Sequence, residues 1–152
     1  MIKRDDSKSD VQKNIEKYMF EQIKIILKDS SLVSNVKVQL DDHGSTFIFP
    51  DFYSEQNKII GEIHAHIGRL KGAQPDKIAS DVLKMLLYEK SSGYEWNKYI
   101  AVCSKEEFDQ LRGNSFLADA IREFGVELLF VDLPADMRSV LSECMKRQSF
   151  LV

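Results

Sequence analysis

The chain has little cysteine, no long apolar run and no excess of positive charge, and each shortage removes a class of protein. Two cysteines in 152 residues cannot build the disulfide framework of a small secreted domain. Neither Cys103 nor Cys144 stands in a CxxC or beside a histidine at metal-ligand spacing, and Cys103 lies in an apolar run where a small buried thiol is the ordinary reading. No stretch approaches the roughly 18 apolar residues that a membrane-spanning helix needs. Behind Met1-Ile2-Lys3-Arg4-Asp5-Asp6 there is no apolar core of a signal peptide, so the expected compartment is the cytoplasm. A formal net charge of −3 argues against binding nucleic acid by bulk charge, but leaves room for a local basic groove. No Gly-rich loop follows a strand, which sets aside a doubly wound nucleotide-binding fold. Repeats, low-complexity stretches and linkers are also missing, so residues 1–152 are expected to form one domain, with 1–9 a flexible polar tail.

What remains is an alternation of helical and strand patterns. From Asp10 to about Lys28, Ile15, Met19, Phe20, Ile23, Ile26 and Leu27 fall on one side of a helical wheel. Val36, Val38 and Leu40 alternate with polar residues as a half-buried strand does, and Asp41 to Ser45 has turn chemistry. Thr46 to Phe49 is a short β-type run that ends or bends at Pro50. After the polar turn Ser54 to Lys58 comes a strand over Ile59–Ile67, then a loop over Gly68–Gly72. Pro75 suits the first turn of a helix that runs to about Lys90 with Ile78, Val82, Met85 and Leu86 inward, ended by Ser91-Ser92-Gly93. Tyr99–Cys103 reads as a buried strand. Short helices over 105–112 and 115–124, a strand over Val126–Val131 and a helix from Pro134 to Arg147 complete the chain. The three early strands should form an antiparallel meander and the later strands should return in parallel, giving one mixed α/β sheet with helices on its faces.

The chemistry concentrates around one hairpin. With a turn centred between Gln56 and Asn57, residues whose numbers sum to 113 pair, which puts Asp51 opposite Glu62. Side chains so paired are about 5 Å apart, and two carboxylates there repel unless something offsets them. A divalent cation such as Mg²⁺ does so. Along Gly61 to Ile67, Glu62, His64 and His66 share one face and Ile63, Ala65 and Ile67 the other. A central strand covered by helices should not have a wet face. Glu16 falls near Ile23 at the centre of the first helix's apolar stripe, where an acid either has a partner or reaches water at the rim. Glu21 is on the opposite side. Arg69, Lys71, Lys77 and Lys84 cluster in the following loop and helix, with Gln74 at the helix start; Lys77, Asp81 and Lys84 make one polar stripe, ordinarily a solvated one.

Taken together, Pro50-Asp51, Glu62 with ten residues between it and Asp51, Glu16 on the first helix and the stretch Gln74 to Lys84 resemble the PD-(D/E)xK nuclease superfamily. The resemblance implies a restriction endonuclease-like αβββαβ core from about residue 10 to 104, with a C-terminal α-β-α extension. It implies Mg²⁺- or Mn²⁺-assisted phosphodiester hydrolysis on nucleic acid, with DNA the expected kind. Asp51 and Glu62 would hold the metal, Glu16 would stand in its outer shell, and Arg69, Lys71, Gln74 and Lys84 would contact the nucleic acid. The departure is at the family's lysine, which is here His64; Lys71 or Lys77 is then needed for its charge, and His64 is available as a base or a metal ligand.

Two other readings stay open. One is a nuclease-like fold without activity, serving as a binding or structural protein. The other is a transition-metal site built from Glu62, His64 and His66. The last helix, with Met137, Val140, Leu141, Cys144 and Met145 on its apolar side and Ser149 to Val152 behind it, docks either on its own domain or on a second copy as a homodimer.

Overall fold

The computed structural model describes residues 8–40 and 46–150, so most of the expected tail, the turn over 41–45 and residues 151–152 lie outside the described residues. The first helix, α1 (Lys8–Ile26), buries Val11, Ile15, Met19 and Ile23 at the spacing that the wheel requires. Ile26, expected inward, is the last residue of the helix and is 45 % exposed. Asp29 is buried instead, accepting the Ser31 N–H at 2.8 Å and the Asn57 amide at 2.7 Å.

The early β region is four strands in two hairpins. β1 (Val38–Gln39) and β2 (Phe47–Ile48) pair antiparallel as a small sheet of their own. β3 (Phe52–Ser54) and β4 (Ile59–His64) form the second hairpin. The expected three-stranded meander in one sheet is therefore corrected. Pro50 lacks the N–H that a continuous strand would use, and the chain bends at Asp51 between the two hairpins. The pairing of β3 with β4 is Phe52↔Gly61, Tyr53↔Ile60 and Ser54↔Ile59, each summing to 113, which is the register read from the sequence. Val33 covers the outer edge of β3 with two backbone hydrogen bonds to Tyr53, 2.9 and 3.0 Å long.

From β4 the chain enters α2 (Gln74–Ser92), with Pro75 in its first turn and Gly93 closing it in the left-handed conformation at φ 78°. It returns as β5 (Asn97–Val102), passes through α3 (Lys105–Leu111) and α4 (Phe116–Glu123), returns again as β6 (Val126–Phe130), and ends in α5 (Ala135–Phe150). The main sheet has the order β3-β4-β5-β6, antiparallel in its first pair and parallel in the others. The fold is thus α/β, with a mixed sheet flanked by helices, five of them among the described residues. Ile60, Ile100 and Val102 look toward α2, α3, α4 and the β1–β2 sheet, and Ile59, Ile63 and Ala101 toward α1 and α5. Leu141, Cys144, Met137 and Met145 pack into that second layer, so the described apolar side of α5 is spent on its own domain; only Val140 of the expected set is exposed. Both cysteines are free and buried, and no helix among the described residues is long and apolar enough to cross a membrane.

Candidate functional site

Three elements deliver carboxyls to the C-terminal end of β4. Asp51 stands one step beyond the β3–β4 ladder, its N–H donating to the Gly61 carbonyl at 3.1 Å. Its Oδ2 accepts the Ile63 N–H at 2.7 Å, so the side chain lies across Glu62, to which it is also hydrogen bonded. Asp81, on the inward edge of α2, is buried and raises both pKa values by its charge. Glu16 reaches the same place from the opposite layer. With Asp51 and Ile63 it lines a cleft of about 610 Å³, whose other walls include Lys13, Lys17 and Asn35.

These groups are held as poor anions. Burial, then the charges of Asp51 and Asp81, push the Glu62 carboxyl well above the ordinary carboxylate range. Burial raises Asp51 too, while the hydrogen bonds from Ile63 and Glu62 pull it back. Burial and the neighbouring charges thus favour the neutral form of Glu62. Glu16 is raised by burial and by Asp51, against the attraction of Lys77 and His64. Two ammoniums stand over the acids: Lys77 Nζ is 3.6 Å and Lys84 Nζ 3.7 Å from the two oxygens of Asp81. Four carboxyls thus stand near two lysines, partly out of water.

The histidines belong to a second group. His64 Nδ1 is hydrogen bonded to Glu107 Oε2, and His66 Nδ1 lies 3.8 Å from Glu107 Oε1. The two rings stack at 5.4 Å between centroids. This group, His64, His66 and Glu107, could hold a metal ion. The carboxylate that joins the histidines is Glu107, not Glu62, which faces Asp51. Burial of Glu62 and His66 also settles the polar face of β4 as an interior one.

Of the expected nucleic-acid contacts, Arg69, Lys71 and Lys84 are exposed. Gln74 is turned to the loop, its Oε1 accepting the Lys71 N–H at 2.9 Å. The sequence reading gave no role to Asp81 or Glu107. Asp81 could have been found, because it sits three residues after Ile78 and four before Met85, on the edge of the buried stripe. Glu107 shares the inward face of α3 with Leu111, four residues on. Comparison with known proteins gave no matching family model, no matching curated protein and no matching solved structure.

Proposed function

We propose that the protein is a divalent-metal-dependent nuclease acting on nucleic acid, most naturally DNA, in the manner of the PD-(D/E)xK superfamily that its motifs resemble. The observation that carries this reading is the meeting of Asp51 and Glu62 with Asp81 and Glu16 beneath two lysines at one strand end. Asp51 and Glu62 would hold Mg²⁺ or Mn²⁺, with Glu16 in the outer shell. When bound, such an ion polarises a phosphodiester and makes a coordinated water more acidic.

The chain's own residues do the rest. Asp51 is oriented by the Ile63 N–H and lines the cleft. Glu62 must lose its proton before it can act as a ligand. His64 is engaged by Glu107, so the positive charge that the family's lysine provides falls to Lys77, which Asp81 steers toward Asp51 and Glu16. Exposed Arg69, Lys71 and Lys84 supply backbone contacts for a phosphate chain.

The test is cleavage of supercoiled and linear DNA, and of RNA, with Mg²⁺ or Mn²⁺. Asp51→Asn and Glu62→Gln should abolish cleavage, and Lys77→Ala should lower it by about 10²-fold or more, the scale for one charge-stabilising group. Glu21→Ala should change nothing. Retained Mn²⁺ binding at Asp51 and Glu62 without any cleavage would favour the second reading, an inactive nuclease-like fold that binds partners, to which the tethering of His64 already inclines.

A further inference from the structure

Glu107 has no part in the acidic centre, yet it is fully buried. Among the described residues no ion pair joins it to a lysine or arginine; its partners are His64 and His66. One oxygen is hydrogen bonded to His64, while Oε1 accepts no hydrogen bond among the described residues. A carboxylate kept from water is costly to the fold unless its second oxygen is satisfied.

The surroundings hold the group in place. His66 follows β4 in a segment tied to α3 and its entry: the Gly68 N–H donates to Ser104 Oγ at 3.0 Å, and Gln110 receives the Leu70 N–H at 2.7 Å while returning a bond to the Leu70 carbonyl at 3.3 Å. Cys103 Sγ donates to the His66 carbonyl at 3.6 Å. A plain histidine–carboxylate pair would need one histidine; here two imidazoles, one from the last residue of β4 and one two residues on, converge on the same carboxylate. One ligand atom from each of His64, His66 and Glu107 lies within 4.8 Å of the others. Donors about 2.1 Å from a shared ion are at most about 4.2 Å apart, so small side-chain rotations close the set.

We propose that His64, His66 and Glu107 bind one transition-metal ion of the Zn²⁺ class, at a centre separate from the acidic one. Two imidazole nitrogens and a carboxylate select zinc, cobalt, iron or manganese over magnesium or calcium. His64 keeps 12 % of its side chain exposed, so the group lies within reach of solvent. The ion would pin β4 to α3 and satisfy Glu107 Oε1. The proposal does not rest on the nuclease reading, since none of its ligands holds the other ion.

The experiment is titration of the chelator-stripped protein with Co²⁺, followed by visible absorption, and with Zn²⁺ by calorimetry, in excess Mg²⁺. The expected result is one equivalent of Co²⁺ with ligand-field bands, not displaced by Mg²⁺. Affinity should fall about 100-fold or more in His66→Gln and Glu107→Gln, beyond the 10- to 100-fold typical of losing an outer-shell partner, and should persist in Asp51→Asn. No bands and no heat with folded wild type would overturn the proposal. So would bands that survive Glu107→Gln, or bands lost in Asp51→Asn, which would place the ion at the acidic centre. Should Glu107→Gln not fold, His64→Gln at the partly exposed end carries the same comparison, and unchanged Co²⁺ binding there overturns the site.

Discussion

Glu62 is buried beside two other carboxyls, and folding alone gains nothing from its charge. Its folded pKa is raised above the unfolded value, about 4.3, so its contribution to stability is fully present below that value and is lost as pH rises through the folded one. The metal-free protein should therefore weaken from mildly acidic to alkaline pH. Glu62→Gln, measured by urea unfolding in chelator, should be more stable at pH 8 by about 1–3 kcal/mol, with a flatter pH slope. A wild type no less stable at pH 8 than at pH 5.5 would contradict this. The neighbouring Gly61 has the opposite character. It lies across from Phe52, and any Cβ there would run into that fully buried ring. Gly61→Ala should cost about 1–3 kcal/mol by overpacking, and Phe52→Leu in the same chain should recover part of it; additive losses in thermal melts would refute the contact. The site was legible at this scale where a residue broke a local pattern. Asp51 and Glu62 came from hairpin register, and Glu16 from its angle on a helix. Glu107 was not legible, because its partners lie about 40 residues away and no short-range spacing links them.

At the level of elements, the end of α1 shows how a helix stops without its preferred residue. The Asp29 N–H donates to the Lys24 carbonyl at 3.0 Å and the Lys28 N–H to the Ile25 carbonyl at 3.2 Å, the paired bonds of a left-handed helix cap. The residue that must turn left-handed is Lys28, at φ 54°. Lys28→Gly should raise stability by about 0.5–1 kcal/mol, the left-handed penalty less the added flexibility of glycine; denaturant melts showing a loss would mean that the Lys28 side chain contributes more than its backbone costs. The elements after Gly72 followed their sequence pattern closely, since each is bounded by strong punctuation such as Pro75, Gly93, Ser115 or Pro134. The early strands did not. β3 has three residues between a bend and a turn, too few for an alternation to show, and β1 and β2 have two each. Val38, Leu40 and Ile48 share a core cluster with Ile78 and Met85 of α2, so residues far along the chain help to bury the β1–β2 hairpin.

In the whole molecule the acidic centre draws on both layers, with Glu16 from α1, Asp51 and Glu62 from the hairpin, and Asp81 from α2. An ion held there should stabilise the fold as one unit. At about 100 times its dissociation constant Mn²⁺ should add about 2.7 kcal/mol, or about 5–10 °C in Tm for a chain of this size, and the gain should vanish in Asp51→Asn; an equal shift in that variant would mean that Mn²⁺ stabilises from elsewhere. The two layers also differ in how they are assembled. The layer around α2 is built from neighbouring segments, whereas α1 shares its layer with α5, from which it is separated by about a hundred residues of chain. During synthesis, α1 leaves the ribosome long before α5 exists. Val11, Ile15, Met19 and Ile23 must then wait with part of their cover missing while the sheet forms, and a chaperone that recognises amphipathic helices would meet this protein at that stage.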